Sequence, residues 1–322
     1  MREPPLFKWL SRSKRQSGTL AIAIDAGAIR FAHAQHLADG RPMIVDWGRM
    51  EFASGNFEAQ FAKLAREKGM ATVDCTTLLD PADYQFLLVE APSVPREELK
   101  SAIRWKIKDM VDYHVNDATV DVIEVPALKT MGDKPAADKA RSMYAVAARN
   151  EVVQKRVSLF ESAGARLQVI DIPEMAQRNI ASLFEQADGA VALLTFSAWG
   201  GMLTFSFHGD LIQARRLEVT SEQLGQKEHE DYYRERVAAE VSRSLDHFER
   251  QFGGLAVSAL LIAPFPGVAG FDEYLRGNVY VPIKAIDLQD VMEFGERKPG
   301  VVEQWESLFT IGAALRVEEK AL

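Results

Sequence analysis

Cysteine is almost missing from this chain: Cys75 is the single one in 322 residues. One thiol rules out an intramolecular disulfide framework, so the fold must hold by its core, and the chain reads as a protein of a reducing cytoplasm. Cys75 itself reads as a small buried hydrophobe. No apolar run approaches the roughly 18 residues needed to cross a bilayer. The N-terminus also lacks the apolar stretch and small-residue cleavage site of a secretory signal. There is no Gly-x-x-x-x-Gly-Lys loop and no Cys-x-x-Cys pair, and none of the six histidines stands four residues from another on an expected helix. These absences exclude P-loop phosphate chemistry, thioredoxin-like redox chemistry and helix-borne zinc hydrolysis. Low-complexity tracts are absent too.

What is present is ordinary for a globular protein: 47% hydrophobic and 26% charged residues. The length fits two domains of roughly 130–170 residues each. The net charge of −8 is uneven, because residues 1–18 hold Arg2, Lys8, Arg12, Lys14 and Arg15 against Glu3, a balance of +4 that leaves −12 for the remainder. So acidic a body argues against nucleic acid as a partner. Leu6, Phe7, Trp9 and Leu10 sit among the basic residues of the tail. Two readings stay open: a segment lying on anionic lipid, each basic residue adding about 1 kcal/mol, or a solubilising tail.

The strongest pattern starts at Leu20. Alternating apolar residues run to Asp25, a tight turn holds Gly27, and a second strand returns through Ala28, Phe31 and His33. Asp39-Gly40 then turns the chain into a third strand through Met43, Val45 and Trp47. The pattern recurs from Val191 to Ser197, through Gly200-Gly201 to Phe207, and after Gly209-Asp210. Asp25 and Thr195 are 170 positions apart and Gly40 and Gly209 are 169, which suggests a duplicated domain with Thr195 where the first copy has its acid. Helices are expected over 57–68, 96–114, 151–163, 174–184, 232–252 and 302–316, and further strands over 84–91, 119–125, 142–148, 167–172, 259–263 and 279–283. In the 96–114 helix, Leu99, Ile103, Ile107, Met110 and His114 form one face. Trp105 lies off that stripe, so it is either half-buried packing or an exposed anchor for a partner. Gly312, inside the last helix, points to close packing against a neighbour. Strands and helices alternating twice over make this an α/β chain with two mixed sheets.

Two facing hairpin turns and a glycine-rich strand-to-helix turn are the parts of a nucleotide cleft. Backbone N–H groups of such turns hold phosphates, and carboxylates hold Mg²⁺ through water. Here the cleft would be built from Asp25, Gly27 and Ala28, from Thr195 and Ser197, and from Gly267 in Pro264-Phe-Pro266-Gly267. The first loop offers Ala28 and Ile29 where a hydroxyl would help hold phosphate, and the second has Thr195 and Ser197 in place of an acid and a glycine. Pro264 and Pro266 remove N–H donors from the third. One carboxylate is poor equipment for positioning a metal phosphate and an attacking water. Asp25 has a plainer reading as a turn residue capping backbone amides. The residues favour a non-enzyme that keeps a relic of the cleft and expects no cofactor, with ATP and Mg²⁺ as the ligands to test.

The segments 22–27 (Ile-Ala-Ile-Asp-Ala-Gly) and 94–111 (Val-Pro-Arg-Glu-Glu-Leu-Lys-Ser-Ala-Ile-Arg-Trp-Lys-Ile-Lys-Asp-Met-Val) resemble the PilM family of type IV pilus assembly proteins. The likeness is closest to its mannose-sensitive haemagglutinin (MSHA) branch, MshI. Supporting stretches lie at 144–148, 163–164, 171, 240–248 and 311–316, so the resemblance spans about residues 19–316. It implies an actin-like (ribonuclease H-like) fold with duplicated domains over 19–186 and 187–302, a small α/β subdomain inserted at about 84–150, and a closing helix and tail over 303–322. It further implies a cytoplasmic protein, peripheral at the inner membrane, that binds the cytoplasmic tail of a bitopic pilus-assembly partner between the first core domain and the insert. The family is regarded as ATP-binding, and this sequence departs from it at Ala28, Thr195, Ser197, Pro264 and Pro266. Two other classes remain: an ATPase or phosphotransferase with drifted loops, and a cytoskeletal adaptor polymerising head to tail.

Overall fold

A computed structural model of the chain describes residues 17–25, 27–52, 55–126, 141–186 and 189–317. Most of the basic tail and the loop expected over 129–135 fall outside the described residues.

Strands β1 (Thr19–Asp25), β2 (Ala28–His36) and β3 (Pro42–Glu51) form an antiparallel meander. Asp25 pairs with Ala28 across a two-residue turn. Gly27 takes φ +96°, a conformation that favours glycine and is common in such tight hairpins. Helix α1 (Phe57–Glu67) leads to β4 (Asp74–Leu78), which returns parallel to β1. The chain then leaves the sheet for β5 (Tyr84–Glu90), α2 (Leu99–Lys106), β6 (Ala118–Glu124) and β7 (Ser142–Arg149). After α3 (Asn150–Ser162) it rejoins as β8 (Leu167–Asp171), parallel to β4, and continues into α4 (Pro173–Ser182).

The second half repeats this plan. Strands β9 (Ala190–Ser197), β10 (Gly200–Phe207) and β11 (Asp210–Leu217) form a second meander. Helices α5 (Ser221–Leu224) and α6 (Glu230–Gln251) precede β12 (Val257–Ile262), parallel to β9. Next come α7 (Phe271–Asn278), β13 (Ile283–Ala285), the short β14 (Glu293–Phe294) and α8 (Val301–Ala314). The first sheet runs β14-β3-β2-β1-β4-β8 and the second β11-β10-β9-β12-β13, so both carry a meander flanked by two parallel strands. The excursion between β4 and β8 makes its own antiparallel sheet, β5-β7-β6.

Helices α4 and α8 fill the space between the two large sheets. Small residues of the first sheet (Ala21, Ala32, Ala34) meet Ala176 and Ile180 of α4, Leu308 and Ile311 of α8, and Val191 and Leu193 of the second sheet in one apolar cluster. Gly312 permits the closest contact: a Cβ there would stand 2.1 Å from the Ala176 carbonyl oxygen. Asn179 Nδ2 donates to the Gly312 carbonyl at 2.8 Å and ties the same crossing. On the outer faces, Phe61, Leu64 and Phe160 cover the first sheet and include buried Cys75, while Val237, Val241, Leu245 and Phe248 cover the second.

Three expectations are corrected. The helix expected over 96–114 is helical only as a short 3-10 turn plus α2, which ends at Lys106. Ile103 and Ile107 already complete the cover over the small sheet, and the chain turns back to enter β6. Met110 is therefore 47% exposed. His114 precedes another short turn, its ring Nδ1 accepting the Asn116 N–H at 3.2 Å. The strand expected over 279–283 lies later: Val279 caps the unanticipated α7 by donating to Leu275, and Pro282, without an N–H, precedes β13. Finally, β14 pairs with β3, so part of the span assigned to the second domain edges the first sheet.

Candidate functional site

The expected cleft rests on the two hairpin turns, and strand register corrects their alignment. Asp25 faces Ala28 across the first turn, and Ser197 faces Gly200 across the second. Ser197, not Thr195, is therefore the counterpart of Asp25. The connection between the second and third strands is five residues long in the first meander (37–41) and two in the second (208–209), which is why a constant offset misled the alignment. Ser197 Oγ donates to the Gly200 carbonyl at 3.0 Å, so its hydroxyl is spent inside its own turn. Ala28 is 2% exposed, its methyl lost to the core, while Gly27 is exposed with nothing near its Cβ position.

Thr195 lies inside the protein, 3% exposed, and donates from Oγ1 to Gln177 Oε1 at 2.7 Å. Gln177 Nε2 contacts the Leu193 carbonyl at 2.6 Å, Thr204 Oγ1 at 3.1 Å and the Met202 carbonyl at 3.2 Å. This network pins α4 to the second sheet. A fully buried amide with its groups satisfied is structural, since breaking it would strand polar atoms away from water.

Asp25 is held by the chain's own Arg30, whose Nη1 pairs with Asp25 Oδ2. The alternation of β2 puts Arg30 on the face of Ala28 and Ala32, toward α8. Burial lowers the Arg30 guanidinium from its ordinary value, and the nearby Glu306 carboxylate of α8 works against that lowering. A protein cation thus pairs with one oxygen of the acid at the first turn, whose side chain stays 41% exposed. Arg30 was not singled out from the sequence. Its signal was its parity with Ala28 across the tight turn.

The strand-to-helix turn is equally closed. Phe265 packs against Phe196 and Trp305 at ring separations of 5.7 and 6.0 Å, and Trp305 Nε1 donates to the Phe196 carbonyl at 2.7 Å. Gly267 is exposed, and a Cβ there would meet the Phe265 ring at 2.7 Å. The cavity beside this turn, walled by Pro264, Phe271, Ile286 and Gln304, measures about 200 Å³, below the roughly 300 Å³ at which small-molecule sites begin. Gln304 is satisfied by the Leu288 N–H at 2.9 Å and Asp287 at 2.8 Å. The structure brings Asp25, Gly27 and Ala28 together at one turn, Ser197 at the other, and Gly267 at the third, and the one carboxylate among them, Asp25, is paired with Arg30.

A second constellation joins helix α4 to the five-stranded and three-stranded sheets. Glu174, 1% exposed at the start of α4, accepts from Arg216 Nη2 of β11 at 2.9 Å and closely from the Tyr84 hydroxyl of β5. Arg216 Nη1 also donates to the Pro81 carbonyl at 3.2 Å, and its guanidinium lies over the Tyr84 ring. Burial first, then the neighbouring Glu174 charge, raises Tyr84 well above its ordinary value. The sequence carried no sign of this contact, because Glu174 looks like any first-turn acid. Trp105 stands apart from it on α2, 67% exposed.

No family model matches the chain, and no curated protein matches it. Solved structures do match. A chain of a PilM–PilN type IV pilus biogenesis complex superposes with a TM-score of 0.69 at 15% identity, over 94% of this chain and 97% of that one. The cytoplasmic domain of EpsL, an inner-membrane component of the type II secretion system of Vibrio cholerae, gives 0.49 at 12% identity over 94% and 97%. A Bacteroides thetaiotaomicron protein with an actin-like ATPase fold gives 0.47 at 9% identity over 92% and 96%. With its repeated meander-plus-parallel-strand sheets and an inserted three-stranded sheet, this chain has the actin-like fold seen in the PilM–PilN complex.

Proposed function

We propose that the chain is a cytoplasmic, non-catalytic actin-like adaptor at the inner-membrane platform of a type IV pilus, of the MSHA type, and that it binds the cytoplasmic tail of a single-pass assembly protein. The observation that carries this reading is the Asp25–Arg30 pair. It sets a protein cation against the one acid at the first turn, while the backbone keeps a likeness of 0.69 to a chain from a pilus complex. The Glu174–Arg216–Tyr84 contact supports it, because it holds the inserted sheet against both halves and so keeps a groove beside the insert preformed. Any lipid contact through residues 1–18 would add to tail binding by proximity.

The test mixes purified protein with the cytoplasmic tail peptides of candidate inner-membrane pilus proteins. Binding tighter than about 100 µM, roughly 5.5 kcal/mol, is expected for one of them, and none binding would remove the adaptor reading. Mg-ATP titrated in parallel is expected to leave the melting temperature unchanged, since only a ligand that binds the folded state raises it. A rise abolished by Asp25→Ala would instead establish an ATP-binding protein.

A further inference from the structure

Gln213 of β11 is 6% exposed, and its Oε1 has no hydrogen-bond partner among the described residues. A buried carbonyl oxygen without a donor is uncommon in a folded protein and points to a donor supplied from outside. Gln213 lines a cavity of about 210 Å³ between the inserted sheet and the second half of the molecule. Phe86 and Leu88 of β5 and Phe252 after α6 give it apolar walls, and Leu88 is 47% exposed. Arg215 also lines it, an exposed cation with no ion pair among the described residues.

The surroundings suit an extended chain. β5 is the edge of the three-stranded sheet and β11 the edge of the five-stranded one, and both line this cavity. The edge of β11 is met there by a side chain: Ala214 N–H donates to Tyr144 Oη at 3.1 Å. Gln213 and Arg215 stand two residues apart on one strand, about 7 Å. That is also the separation of like-facing side chains in an extended ligand.

We propose that this cavity docks an extended protein segment carrying an apolar residue and an acidic residue two positions apart. The apolar side chain enters between Phe86, Leu88 and Phe252, a main-chain N–H of the segment donates to Gln213 Oε1, and the carboxylate pairs with Arg215. Strand-edge recognition of this kind draws affinity from the main chain and specificity from alternate side-chain pockets. The site is independent of the hairpin cleft and of the pilus reading.

The experiment pans a randomised heptapeptide display library against the full chain. Enriched sequences are expected to carry an apolar and an acidic residue two apart. A synthetic representative should bind Gln213→Leu and Arg215→Glu at least tenfold more weakly, and Arg215→Glu should select Lys or Arg at the acidic position. Arg215 is exposed, so its variant should melt as the parent does and report binding alone. Failure to enrich, enrichment indifferent to both variants, or selection of basic segments by the parent would overturn the proposal. So would equal occupancy by N-acetylglutamate at the same concentration, which would make this a small-carboxylate site.

Discussion

Gly312→Ala should destabilise this protein, although the same exchange in an open helix stabilises. Alanine is favoured over glycine in a helix interior by about 1 kcal/mol. At position 312 the new methyl would lie 2.1 Å from the Ala176 carbonyl oxygen and 2.7 Å from its carbon. Carbon–oxygen contacts settle at about 3.3–3.6 Å, so α8 must withdraw from α4 by about an ångström. Overpacking of this size costs about 1–3 kcal/mol. Withdrawal also stretches the 2.8 Å bond from Asn179 to the Gly312 carbonyl, a further loss of about 1 kcal/mol. Set against the helix gain, the net loss is about 1–3 kcal/mol. For a chain of this size that lowers the melting temperature by about 1.5–4.5 °C. Calorimetry or circular dichroism on heating reads it directly. Gly277 in α7 supplies the control, because nothing lies within 4 Å of its Cβ position, and Gly277→Ala should hold or raise the melting temperature. If Gly312→Ala behaves like Gly277→Ala, the α4–α8 crossing is not the contact that joins the two halves.

Glu174→Ala leaves Arg216 and the buried Tyr84 hydroxyl without their partner. Arg216 keeps 40% of its side chain in solvent, so the loss should fall at about 2–3 kcal/mol, below the 3–5 typical of a fully buried broken pair. A urea midpoint unchanged within error would refute the contact. Gln177→Leu strands the Thr195 hydroxyl and strand carbonyls and should cost about 1–3 kcal/mol, measured the same way. A neutral outcome would mean that the amide is not the tie between α4 and the second sheet. Burial pushes the Cys75 thiol from 9.0 up to about 12. The folded value lies above the unfolded one, so this group's contribution is fully present below pH 9 and is lost as pH rises toward 12. Cys75→Ala should therefore flatten the alkaline fall in melting temperature. In the native protein at pH 8 the thiol should also resist a disulfide reagent until unfolding, and prompt labelling would contradict its burial.

The two meanders were legible because alternation, tight turns and strand ends are local. The closing helix and the meaning of Gly312 were legible for a similar reason: a glycine inside a strong helical pattern asks for a close neighbour. The 96–114 helix was overcalled since its apolar spacing continued past the point where the small sheet needed cover. The matching of Asp25 with Thr195 failed because the connection after the second strand is longer in the first meander than in the second, and only pairing register showed that Ser197 stands at the turn. Gly267 and Ser197 were correctly gathered near turns, yet nothing in their neighbours said that Phe265 and Gly200 would occupy their contacts.

Residue pattern alone determined a duplicated α/β chain and a lone buried thiol, because each follows from periodicity, composition or residue type along a few positions, whereas the insert was implied by the family resemblance. Tertiary structure decided who meets whom. Arg30 on Asp25, Glu174 between Tyr84 and Arg216, and the orphaned Gln213 oxygen are set by sheet packing and strand register. Partners on different strands or different sheets leave no periodic trace in the chain, so their pairing becomes visible only when the sheets are packed together.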